Sequence, residues 1–363
     1  MVLAMVAFAN RDLIRKGPLR LAFVGTLSGK NADMGEEARD GAIMAIEECN
    51  DAGGIDGQDM QLLVRDDRQS HDRLSEIMDE LDAKNVVAAI GPVTSVSAEW
   101  ALTLCNMHEM VMISPTAGAE MIGGKDDYFF RVYPGDSQCM NQLARYAAKR
   151  KFRKVGIVID ASSQAHTRDS AAAFASSFTL AGGTITRKVD YGKDPNSSVL
   201  FRDMAKQVLA DDPDCILLLA NANDSAILCQ QIRRLNPTVA ICMSEWSATA
   251  DIFTFGGSAV QGCFFLHSFD PDYPAERYQT FRQRFSTRFG YEPGYASIHA
   301  YDSARILLDA LSSGATRKDM RQTLAKVQSF EGLQGSITFD EYGDVRRELF
   351  LMTIRDGAFR SME

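Results

Sequence analysis

The chain has 363 residues, 45% of them hydrophobic and 24% charged, which is enough for two domains of ordinary size, each with its own core. A formal net charge of −9 excludes the basic surface that nucleic acid or an anionic membrane requires, and the short basic clusters 149–154 and Arg346-Arg347 read as solvated faces. Seven cysteines with no C-x-x-C pair exclude a zinc or thioredoxin-type motif and predict free thiols buried in apolar runs.

In chain order, the apolar run 1–9 is too short to span a bilayer. Ala7-Phe8-Ala9 before Asn10 has the small-x-small form of a signal-peptidase site, so residues 1–17 read as a leader, the tail of an export signal or membrane anchor that starts upstream. A frayed terminus of a cytoplasmic protein is the alternative. A strand follows over 21–24, then Gly25-Thr26-Leu27-Ser28-Gly29-Lys30, which is one residue short of a P-loop and lacks its Ser/Thr. A helix over 36–49 places Ala42, Ile46 and Cys49 on one face and ends in the glycine-rich turn 50–57. Strands over 62–64, 86–90 and 110–113, with helices beginning at His71 and Ser95, complete a doubly wound α/β lobe.

Two turns of this lobe carry the chemistry. Ile90-Gly91-Pro92-Val93-Thr94-Ser95 and Ile113-Ser114-Pro115-Thr116-Ala117-Gly118 each break from an apolar run into small and hydroxyl residues, where a parallel strand hands over to a helix. Either alone reads as an ordinary helix cap. At neighbouring strand ends they predict an anion site built from backbone N–H groups, helix N-termini and hydroxyls.

After Tyr133-Pro134-Gly135 the pattern repeats, with strands over 154–159, 184–190, 215–219 and 240–243 and helices near 168–180, 198–209 and 225–235. Beyond Gly262-Cys263-Phe264-Phe265, the helical stretches 275–289 and 295–311 start no third sheet. The remaining chain is therefore expected to return to the two lobes, giving several crossovers and a hinge. No G-x-S-x-G, H-E-x-x-H or deaminase motif appears, the five histidines are dispersed, and the pairs Asp66-Asp67 and Glu47-Glu48 point apart, so neither catalysis nor a cofactor or metal is expected.

Gly25-Thr26-Leu27-Ser28-Gly29, the turn 50–57, Asp66-Asp67, Gly91-Pro92 and Ile113-Ser114-Pro115 resemble, in order and spacing over nearly all of 18–359, the type I periplasmic solute-binding proteins of the leucine/isoleucine/valine-binding kind. The resemblance implies two Rossmann-like lobes, 18–134 plus 268–338 and 135–267 plus 339–363, joined by a three-crossover hinge that closes over a small ligand. It also implies that Ser95 binds the α-carboxylate of an amino acid, with backbone groups of Thr116, Ala117 and Gly118 and the Thr116 hydroxyl serving the carboxylate and the ammonium. Gly118 replaces the family's threonine. Glu245, just past the strand 240–243, matches the acidic residue that takes the α-ammonium, and a carboxylate there suits a charge-assisted hydrogen bond. His166 falls where relatives have a ligand-facing tyrosine, although a lone surface histidine is the plainer reading. Met34, Thr94, Asn221 and Trp246 are further candidates for the pocket. Trp246 stands where a branched-chain binder carries glycine, so it either narrows the pocket or offers a face for stacking.

The expected ligand is thus an amino acid or related zwitterion, and the expected partner is the membrane permease of an ABC importer. The alternatives are the sensing domain of a transmembrane receptor, an aromatic-acid or amide binder, and an amide regulator in the cytoplasm. The expected location is periplasmic or otherwise extracytoplasmic.

Overall fold

A computed structural model describes residues 17–29, 31–192, 201–327 and 329–362, with the backbone alone at 164–166. The leader expected over 1–17, apart from its last residue, and Lys30 lie outside the described residues.

The first lobe is built on β1 (Leu19–Gly25), β2 (Met60–Asp66), β3 (Ala88–Ile90), β4 (Met112–Ser114) and β5 (Phe129–Arg131), in the parallel order β2-β1-β3-β4-β5. Residues Leu21, Ala22, Phe23 and Val24 of β1 are all fully buried. Both faces of the strand are covered, which is why it reads as an unbroken apolar run and not as an alternating one. α1 (Ala32–Asp51) lies on one face, and α2 (His71–Ala83) with α3 (Ser95–His108) on the other.

The second lobe has seven strands in the order β15-β14-β10-β9-β8-β6-β7. β6 (Lys154–Asp160), β7 (Thr184–Tyr191), β8 (Cys215–Leu219), β9 (Ala240–Met243) and β10 (Phe264–His267) are parallel, while β14 (Phe350–Arg355) and β15 (Ala358–Ser361) close one edge antiparallel. Its helices are α4 (Asp136–Lys149), α5 (Gln164–Leu180), α6 (Phe201–Leu209), α7 (Ala222–Leu235) and the short α8 (Asp251–Gly256). Between β10 and β14 the chain returns to the first lobe as α9 (Glu276–Phe289), α10 (Tyr295–Ser312), α11 (Met320–Lys326) and a small antiparallel sheet of β11 (Phe330–Gly332), β12 (Gly335–Phe339) and β13 (Val345–Arg346). The chain therefore passes between the sheets after β5, after β10 and after β13. The fold is two doubly wound α/β lobes joined by three crossings, as the sequence predicts.

Two expectations differ from the structure. The turn after β4 does not open a helix of any length. It runs through the short 3-10 turn Glu120–Ile122 to β5, because Thr116 and Ser114 spend their hydroxyls on tying this turn to the β3 turn. Arg347 is not a solvated residue either. Its side chain is 1% exposed, lies 3.4 Å from Asp302 of α10 and donates to the Val132 carbonyl, so it joins the last crossing to the first. The seven cysteines are free and buried, as their apolar settings predicted.

Candidate functional site

Open α/β sheets bind ligands at the carboxyl ends of their strands, where the strand order reverses. In the first lobe the reversal falls between β1 and β3, and in the second between β6 and β8. The loops leaving these strands face each other across a cleft.

From the first lobe, Thr94 caps α3 by accepting a bond from Ser97 N–H (3.2 Å), and Ser95 is the helix's first residue. The N–H groups of Ser95 and Val96 have no partner within the helix, and the first turn contains no acidic residue, so the cleft receives an undiluted positive helix end. Ser95 Oγ accepts from Ala119 N–H (3.3 Å), which leaves its own hydroxyl proton for the cleft. Thr116 also lines the cleft, but its hydroxyl donates to the Val93 carbonyl at 2.5 Å, so this oxygen is left as an acceptor only.

Ala117 and Gly118 lie one layer behind the wall. The Ala117 N–H donates to Ser114 Oγ (3.1 Å), and the Gly118 carbonyl accepts from Asp136 N–H (2.7 Å). A Cβ on Gly118 would fall 2.0 Å from Asp136 Oδ1 and 3.2 Å from Tyr133. A side chain on Gly118 would therefore displace the carboxylate of Asp136, the first residue of α4.

On the opposite wall, Glu245 begins a 3-10 turn (Glu245–Ser247) directly after β9 and is 4% exposed. The cleft-lining Tyr133 and Tyr295 sense its charge. The Tyr133 hydroxyl is held well above its ordinary range by burial and then by Glu245, and that of Tyr295 by burial, Glu37 and Glu245. One end of the cleft thus offers N–H donors and a helix dipole, and the other a buried carboxylate among phenols.

The sequence model of the periplasmic binding protein family matches residues 18–358. The chain belongs to that family. Among similar relatives, the Leu/Ile/Val-binding protein BraC3 of Rhizobium johnstonii is 22% identical, with 96% of this chain and 94% of that one aligned. The Leu/Ile/Val-binding protein of Escherichia coli K12 is also 22% identical, over 94% and 91% of the two chains. Among solved structures, LivJ of Streptococcus pneumoniae in complex with isoleucine has a TM-score of 0.87 at 21% identity, covering 95% of this chain and 99% of that one. A Rhodopseudomonas palustris BisB5 solute-binding protein in complex with 3,4-dihydroxybenzoic acid has a TM-score of 0.84 at 19% identity, covering 96% and 97%.

In this periplasmic binding protein, Met34 and Trp246 also line the cleft, and the Tyr295 hydroxyl donates to Met34 Sδ at 3.1 Å. Asn221 does not line it. It caps α7 by bonding Asp224 and borders a neighbouring chamber. His166 lies in α5, and its side chain is outside the described residues.

The residue reading missed Asn31, Gln69, Ser163, Tyr133 and Tyr295 as cleft walls. Asn31 and Gln69 bond each other at 3.2 Å. Gln69 reaches the cleft because Arg68 and Gln69 both adopt left-handed backbone, φ 52° and 50°, a conformation with no sequence signature in these residue types. Ser163 follows β6 at the second lobe's reversal point, and Tyr133 and Tyr295 stand at a crossing and at a helix start, places where the strand pattern could have flagged them.

Behind the cleft, Glu37 Oε2 is buried without a hydrogen-bond partner among the described residues. Burial, with Asp33, Asp251 and Asp40 adding repulsion, pushes its carboxyl from 4.5 up to about 8. The stability gained by keeping that proton is complete below the unfolded value of 4.5 and is lost as the pH rises through about 8. Glu37→Gln is therefore expected to be nearly neutral at pH 4 and to stabilise by about 2 kcal/mol near pH 8.5. Urea melts at the two pH values check this, and an equal effect at both would rule out the buried proton.

Proposed function

We propose that this protein captures a small zwitterion, an α-amino acid, between its lobes and presents it to the membrane permease of an ABC importer from an extracytoplasmic position. The single observation that carries the reading is the polarity of the cleft, with the Ser95 hydroxyl and the first N–H groups of α3, which have no partner within the helix, at one end and buried Glu245 at the other. The names of the family and of its relatives support binding rather than catalysis.

Ser95 and the first N–H groups of α3 take the carboxylate, Glu245 takes the ammonium, and Met34, Tyr295 and Trp246 enclose the side chain. Only the closed form makes both sets of contacts, so the ligand shifts the open–closed equilibrium by its differential affinity. The moving bodies are 18–134 plus 268–338 and 135–267 plus 339–363, with one refinement. Residues 339–347 go with the first lobe, because β13 pairs with β12 and Asp344 with Arg131 (2.6 Å).

A thermal-shift screen of ligand-stripped protein tests the reading. An amino acid at a hundred times its dissociation constant adds about 2.7 kcal/mol to stability, a clear rise in Tm. A second reading, an aromatic acid, is favoured by Trp246 on the wall and by the bound dihydroxybenzoic acid of the Rhodopseudomonas relative. Hits confined to acids lacking an amine would select it.

Ser95→Ala is expected to weaken the ligand by about 1.5–3 kcal/mol, the scale of a hydrogen bond to a charged group, and Ser97→Ala to leave affinity within twofold. Ser97 is fully buried, is not among the residues lining the cleft, and its hydroxyl has no partner among the described residues. Titration calorimetry compares the two, and equal losses would move the carboxylate away from Ser95.

A further inference from the structure

Beside the ligand cleft, and sharing Asn31, Met34 and Trp246 with it, lies a second, small chamber. It is formed where the two lobes meet. Asp33, in the first turn of α1, comes from the first lobe, and Asp251 and Thr249 come from the second. The two aspartates repel each other. Asp251 is held above the usual carboxylate range by burial and by Asp33. Glu37 lies within reach of both charges.

Thr249 supplies an independent sign of a missing occupant. It lines the chamber, is 6% exposed, and its hydroxyl oxygen is buried with no hydrogen-bond partner among the described residues. A buried unsatisfied hydroxyl costs about 1–3 kcal/mol, and so is expected to be answered by something.

The occupant's chemistry follows from the walls. Two carboxylates from opposite lobes, a hydroxyl oxygen and the amide oxygen of Asn223 are acceptors that suit a cation. A tightly coordinated metal ion does not fit, since among the described residues no group of three or more His, Cys, Asp or Glu side chains is arranged to hold one. An ammonium needs no fixed coordination shell and can place its three donors on Asp33, Asp251 and Thr249. It would also remove the repulsion that lobe closure creates.

We propose that the preferred ligand is an α-amino acid with a cationic side chain, whose terminal ammonium passes between Met34 and Trp246 into the chamber bounded by Asp33, Asp251 and Thr249. This rests on the amino-acid reading of the main cleft and names the ligand class within it. Met34 is the wall suited to such a passage, because its unbranched thioether re-forms around a threaded chain. Specificity then resides in the second chamber and affinity for the head group in the first.

The test is calorimetric titration with L-lysine, L-ornithine and L-norleucine, the last of which keeps lysine's aliphatic stem without the amine. Lysine or ornithine is expected to bind at least tenfold tighter than norleucine, and Asp251→Asn and Asp33→Asn should each bring that ratio down toward one, with circular dichroism checking the fold of each variant. Norleucine binding as tightly as lysine, or a preference that survives both substitutions, overturns the inference and leaves the amino-acid reading standing. Failure of all three probes and of other α-amino acids to bind overturns both.

Discussion

Replacing Glu245 by glutamine is expected to weaken an α-amino-acid ligand by about 1.5–3 kcal/mol, roughly a ten- to hundredfold loss of affinity, the scale of a hydrogen bond to a charged group. The substitution keeps the volume and removes only the charge. Glu245 starts a 3-10 turn at the carboxyl end of β9 and is 4% exposed, so its carboxylate stands where water is largely excluded and charge counts for more than at the surface. Its field already reaches the hydroxyls of Tyr133 and Tyr295, which marks it as the charge centre of that wall. The control is an acid of the same size without an amine, whose affinity the substitution should leave unchanged or raise. Equal losses for both ligands, measured by calorimetry, would falsify the ammonium contact and make Glu245 a packing residue.

Much of the first lobe was legible because a doubly covered parallel sheet forces apolar runs such as Leu21 to Val24 and breaks them at the strand ends where ligands bind. Thr94, Ser95 and Thr116, read from the same strand-end logic, line one cleft with Glu245, Met34 and Trp246, which the family resemblance supplied. What stayed hidden was decided by tertiary geometry. β5, β11 and β13 are only two or three residues long and form because a neighbouring strand offers hydrogen bonds, with little local pattern to announce them. Arg347 reads as a surface cation beside Arg346, and only the crossing of three chain segments shows that Asp302 and the Val132 carbonyl wait for it inside. Gly118 lacks the hydroxyl of the family's threonine, and the Asp136 carboxylate, which no linear pattern places there, fills the space beside it.

Gly41→Ala is expected to destabilise the protein by about 2 kcal/mol or more, against the direction set by helix propensity. In the middle of a helix such as α1, alanine is ordinarily better than glycine by about 1 kcal/mol. Here the added Cβ would lie 1.9 Å from the carbonyl oxygen of Ser297, 2.7 Å from its carbon and 2.9 Å from its Cα. All three are backbone atoms of α10, an 18-residue helix, so no side chain can swing aside and the helices must separate. Overpacking of a close-packed core costs about 1–3 kcal/mol, and contact with rigid backbone belongs at the upper end. The consequence extends to binding. The first turn of α1 carries Met34 and the first residue of α10 is Tyr295, which bond each other at 3.1 Å on the cleft wall. Pushing the helices apart at Gly41 therefore loosens the wall two turns away, and affinity should fall together with Tm. A Tm equal to or above that of the parent would mean that propensity outweighs the contact and that α1 and α10 are free to move against each other.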